Sequence, residues 1–217
     1  FGLRRYHKAR VRYTTARRLS PGGDKDVARA LALAAEAAAG GAWVRQLRAG
    51  HEFAVRRRAE TADEGHLFRA AGEAGALCYL VGDVISRECV AVDCAWDVRG
   101  VIEYAQRHRM RITAAIATCG TLEVVGGEAH GHRLPKGIWL PGLRELATDH
   151  GATPHVHLAE RTRVALQCRL ESARQSPLRD RQTVALPNGV TLTAVHTPGQ
   201  TAGSICVVVR EDGGGGG

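Results

Sequence analysis

A chain of 217 residues holds one sizeable core, or one domain with an extension, but not several full domains. It is 44% hydrophobic and only 5% aromatic, and no window approaches the roughly 20 uninterrupted apolar residues of a membrane-spanning helix; architectures built on transmembrane helices are therefore excluded. The formal net charge of +8 is unevenly placed: "FGLRRYHKARVRYTTARR" carries seven Lys or Arg and no acid, leaving 23 basic against 22 acidic residues for everything after it.

Residues 1–23 thus form a basic extension whose cations are Arg4, Arg5, Lys8, Arg10, Arg12, Arg17 and Arg18. An acid-poor, Arg-rich segment reads as an organelle-targeting sequence, as an arm that neutralises phosphates, or as a solvated terminus. Phe1, Tyr6 and Tyr13 add rings that can stack on bases. The expectation is an arm that contacts RNA or an acidic partner. The six cysteines, Cys78, Cys89, Cys94, Cys119, Cys168 and Cys206, include no C-x-x-C pair, so reduced, mostly buried thiols in an intracellular compartment are expected.

In chain order, Asp24 is a plausible N-cap for an alanine-rich helix within 24–42, "KDVARALALAAEAAA", closed by Gly40 and Gly41. "WVRQL" and "EFAVR" read as short strands, and the polar stretch from Arg56 to Gly75 reads as loop or as a partly disordered segment. "ALCYLVGD" and "ECVAVD", separated by "VISR", predict a hairpin. Val98, Val101, Ile102 and Ala105 then fall at helical spacing, ahead of a buried strand "RITAAIATC". Helix "LPGLRELATDHG", strand "PHVHL", helix "ERTRVALQCRLESA" and strands "TVALPN", "VTLTAVHT" and "GSICVVV" complete a layered α/β pattern over 43–212, and 213–217 is a glycine tail that cannot pack.

The run from "CYLVGDVISRECVAVD" through "ITAAIATCGTLEVVGG", continued by "GHRLPKGIWLPGLRELA", "PHVHLAE" and "HTPGQTAGSICVV", resembles the metallo-β-lactamase-like hydrolases, in particular the glyoxalase II and persulfide dioxygenase branch. The resemblance implies an αββα sandwich, two β-sheets flanked by helices on both outer faces, with a metal site at one edge of the sheets. It also implies that the domain is incomplete at its C-terminus, because the family's bridging aspartate and last histidine lie beyond a further strand. The family's metal loop, T-H-x-H-x-D-H-x-G-G, stands here as T-C-G-T-L-E-V-V-G-G: Thr118, Gly126 and Gly127 match, while Cys119, Thr121, Glu123 and Val124 occupy ligand positions. The later motif H-T-P-G-H-T-x-G-S survives as "HTPGQTAGS", which keeps the metal histidine as His196 and replaces a second histidine by Gln200. Asp93 matches the family's non-ligand aspartate that braces the metal loop.

Catalysis in that family needs a metal with an open coordination position, because bound zinc lowers the pKa of water to about 7. Cys119, Glu123 and His196 carry donor atoms, but Thr121 is a poor ligand and Val124 is none. The expectation is a site without metal or cofactor, in which no residue is catalytic and the loop is kept for folding. The pairs His130 with His132 and His155 with His157 have ligand-like spacing, but alternate residues of any strand share a face, and they read as structural or surface histidines. A Cys119 nucleophile with His196 as base lacks an orienting third group. Trp96, Asp97 and Trp139 read as loop and packing residues.

The function expected is a catalytically inactive structural subunit of a large assembly, partnered by protein subunits and by rRNA through the basic arm. A mitochondrial ribosome or other organellar ribonucleoprotein in the matrix is the home expected, a choice made on type of protein and not on a motif. The alternatives are a thioester or glutathione-conjugate hydrolase with a remodelled metal site, and a module that binds a small ligand without turnover.

Overall fold

The computed structural model describes residues 41–49, 61–130 and 134–211. The basic arm, the alanine-rich helix except for its last residues, "EFAVR", His132 and the glycine tail lie outside them. Ala42, placed at the end of that helix by the sequence reading, instead opens the first strand, β1 (Ala42–Arg48).

The hairpin is present: β2 (Leu77–Asp83) pairs antiparallel with both β1 and β3 (Glu88–Val92). Parallel neighbours follow: β4 (Arg111–Ala117) on β3, β7 (Thr153–His157) on β4 and β8 (Ser176–Leu178) on β7, which gives a six-stranded sheet of order β1-β2-β3-β4-β7-β8. A second sheet is antiparallel, of order β11-β10-β9, from β9 (Thr183–Ala185), β10 (Val190–His196) and β11 (Ile205–Glu211). A short ribbon of β5 (Gly127–Glu128) and β6 (Trp139–Leu140) stands apart.

The inner strands are buried on both faces, as parallel strands between layers require. Val90 and Val92 of β3 and Ala114 and Ile116 of β4 meet Leu192, Ala194 and Ile205 of the second sheet, while Cys89, Ala91, Ala115 and Ala117 face the helices. Cys89 pairs with Ile112 but Val90 with Ala114; the extra residue, Thr113, is a bulge that keeps Ile112 on the helix side. Leu192 is 1% exposed at the centre of the inter-sheet core. Leu192→Ala is expected to lower stability by about 2–5 kcal/mol in urea unfolding, against under ~0.5 kcal/mol for Val208→Ala on the exposed side of β11.

Helices α1 (Ala62–Ala74), α2 (Val98–Arg107), α3 (Leu122–Val125), α4 (Leu143–Thr148) and α5 (Arg161–Cys168) supply the rest of the helix-side core. α1 overturns the reading of this stretch as loop over residues 61–75, while residues 56–60 lie outside the described residues. Thr61 Oγ1 caps it by accepting from Glu64 N–H at 3.1 Å, Gly75 closes it in the left-handed conformation, and Leu67, Ala70 and Ala71 bury its inner face. α2 is capped by Asp97, whose Oδ1 accepts from Gly100 N–H at 2.9 Å, so a residue read as loop is the start of a helix as well. Among the described residues the helices lie against the six-stranded sheet, and the outer face of the three-stranded sheet carries none.

Candidate functional site

The C-terminal ends of β3, β4, β7 and β10 bring together one edge of the two sheets. Asp93 follows β3 with φ 55, a conformation that Asp tolerates better than most side chains. Its Oδ1 accepts from Thr118 N–H at 2.8 Å and its Oδ2 from the Thr118 hydroxyl at 2.6 Å. Asp93 thus holds Thr118, the first residue after β4. Burial pushes its pKa up to about 6, against the lowering effect of the two Thr118 bonds.

In the loop that follows, the positions that the resemblance matches to metal ligands make other contacts. Cys119 is buried, with Sγ 3.4 Å from Thr121 Oγ1. Glu123 is exposed, and its carbonyl accepts from Trp96 Nε1 at 3.2 Å. Val124 packs against the helix-side core. The glycine pair makes the turn: Gly126 has φ 75 and Gly127 φ 121. A Cβ at Gly126 would lie 2.5 Å from the carbonyl oxygen of Leu140, and one at Gly127 would lie 2.0 Å from that of Gln167.

His196, at the end of β10, donates its backbone N–H to Asp180 Oδ1 at 2.8 Å. That bond, ahead of the nearby Arg181, lowers the pKa of the Asp180 carboxyl. The ring has Nε2 at 2.9 Å from the Ala202 carbonyl. A carbonyl only accepts, so Nε2 carries the proton. The ring also stacks on His157, with centroids 4.3 Å apart and planes within 12°. Burial first and the neighbouring His196 second lower the pKa of His157. Gln200, in the second histidine's place, is exposed. Thr201 and Ser204 close the turn on themselves, hydroxyl to hydroxyl at 2.9 Å.

The two loops are joined. Ile205 N–H donates to the Thr118 carbonyl at 2.9 Å, and the buried Glu160 accepts from Gly120 N–H at 3.0 Å and from Gly203 N–H at 2.7 Å. Sequence reasoning missed Glu160, a lone acid in no recognised spacing, and did not link His157 to His196. His130 is exposed, and His155 sits within β7 with burial lowering its pKa.

These residues do not fit a metal ion of the kind the resemblance implies. Such a site needs three donors converging on one point, whereas here stacked imidazoles lie in near-parallel planes and the Glu160 oxygens point at backbone N–H groups. Among the described residues no group of three or more His, Cys, Asp or Glu gathers as a metal site, and no helix is long and apolar enough to cross a membrane.

No family model matches the chain, and no curated protein matches it. Among solved structures it is similar to a metallo-β-lactamase from Staphylococcus aureus subsp. aureus COL, at 19% identity and a TM-score of 0.53, over 81% of this chain and 40% of that one. It is also similar to ETHE1 from Myxococcus xanthus, at 16% identity and a TM-score of 0.47, over 64% of this chain and 50% of that one. The chain therefore spans at most half the length of either.

Proposed function

Starting from a chain that has the metallo-β-lactamase fold, we propose that it is a non-catalytic structural subunit of a larger assembly. The observation that carries this reading is the use made of His196, the metal ligand retained from the resembled family. Its Nε2 is bonded to the Ala202 carbonyl and its ring is stacked on His157, so the side chain serves the shape of its own loop. Asp93, Thr118 and the glycine pair preserve the frame of the old site around it. The hydrolase alternative requires Cys119 and His196 to release their present partners and a third donor to join them.

The assembly proposed is a ribonucleoprotein, with an organellar ribosome in the mitochondrial matrix as its home. What supports this is the charge distribution: seven cations and no acid in the first 18 residues, on a chain otherwise close to neutral. An arm of that kind binds phosphates by counterion release, without reading sequence. Sedimentation of the native protein from cell extract tests it. The protein is expected in a heavy fraction that ribonuclease breaks up; migration as a free monomer with no RNA and no partners contradicts the proposal.

A further inference from the structure

Glu160 lies three residues past the end of β7, closing the turn Leu158–Glu160, and is 2% exposed. A buried carboxylate is tolerated only where donors meet its charge, and hydrogen bonds to an ion are roughly twice as strong as neutral ones. Here one donor comes from each loop: Gly120 on Oε2, Gly203 on Oε1. Arg163, 59% exposed, brings Nε to 3.7 Å from Oε2 as the opposite charge on the solvent side.

The donors are both glycines, and the space demands it. A Cβ at Gly120 would stand 2.5 Å from Glu160 Oε2, and one at Gly203 would stand 2.6 Å from Glu160 Cγ and 2.8 Å from His157 Nδ1. Carboxylate and glycines are fitted to each other. Gly120 lies between Cys119 and Thr121, and Gly203 lies in "HTPGQTAGS", so the segments joined are the two that carry metal ligands in the resembled family.

We infer that Glu160 is the cross-link of this edge, an anion inside the protein that ties both loops through their N–H groups where the resembled family ties them through a cation. The backbone bond from Ile205 to Thr118 is a second tie at the base of the loops, so losing Glu160 loosens the edge without unfolding the sheets. Glu160 is a positioning residue. The tie acts on the shape of the edge, whichever partner the protein has.

The test is residue-resolved amide exchange on the full chain. Glu160→Gln keeps the volume but turns an NH2 group toward one of the two N–H donors. Exchange at Gly120 and Gly203 is expected to speed up by at least about tenfold, while Leu80 and Val90 in the sheet keep their protection. Unchanged protection at both glycines overturns the inference. Gly120→Ala is expected to loosen the same amides in the wild-type background and to add little in Glu160→Ala, because the clashing oxygen is then gone and Arg163 can swing away; full additivity of the two changes overturns it. Should the Gln variant fail to fold, the wild type decides. Its loop protection is expected to be the same in EDTA and in added zinc, and a fall in EDTA means that an ion, not Glu160, holds the edge. Loss of the heavy sedimenting fraction with these amides still protected would sink the assembly reading and leave this one standing.

Discussion

Gly127→Ala is expected to destabilise the protein by about 3–5 kcal/mol, a large fraction of the stability of an ordinary domain. Two causes add. At φ 121 the backbone is in a region that L side chains rarely adopt, a strain of about 1–3 kcal/mol. The new Cβ would also sit 2.0 Å from the Gln167 carbonyl oxygen and 2.8 Å from its carbon, backbone atoms of α5 that cannot swing aside. Gly75→Ala is the control: φ 63 but nothing within 4 Å of the added carbon, for a loss of about 1 kcal/mol. Urea midpoints of both variants check the difference. A small effect at Gly127 would mean that the loop is not held against α5, and the frame of the site would not be the rigid feature described.

Asp93→Asn is expected to stabilise the protein at neutral pH. Burial raises the carboxyl from 3.8 to about 6 in the folded state. For an acid whose folded pKa lies above its unfolded one, the contribution to stability is fully present below about pH 4. It is lost as pH rises through 6, because ionisation then favours the unfolded chain. The loss is about 2–3 kcal/mol by pH 7. Asn cannot ionise, suits φ 55, and its oxygen can still accept from Thr118 N–H, while its NH2 donates to the Thr118 hydroxyl. Wild type and variant are therefore expected to match near pH 4 and to diverge by about 2 kcal/mol at pH 7, in paired denaturation curves. A variant less stable than wild type at pH 7 would show that the brace works only as an anion.

Much of the fold was legible because period and burial agree. The parallel strands β3 and β4 read as continuous apolar runs, and α2 read from Val98, Val101, Ile102 and Ala105, of which all but the half-buried Ile102 are buried. α1 escaped because its inner face is made largely of Ala70 and Ala71, which contribute contact area but little hydropathy. The signal that could have found it is the start "TADE" with Gly75 at the far end. β8 escaped because three residues containing Pro177 have no period.

At the site, Asp93 bonds to Thr118 and the glycine pair makes the turn, demands that a turn between a strand and a helix places on the backbone with or without a metal. Glu160 could not be read, because its partners are backbone N–H groups 40 and 43 residues away in sequence. Side chains that bond to backbone far along the chain leave no spacing to recognise, unlike the helix caps of Thr61 and Asp97. His157 was read as one half of a strand pair with His155, whereas its neighbour is His196 on the other sheet. Register within one strand says nothing about which side chains meet across two.

Elemental analysis of the natively purified protein by mass spectrometry tests the central claim, that this edge holds its shape without a metal, most directly. Zinc and iron are expected well below one equivalent, falling to background on gel filtration while the folded state is unchanged. About one tightly held zinc or iron per chain, lost together with loop protection in His196→Ala, would contradict it.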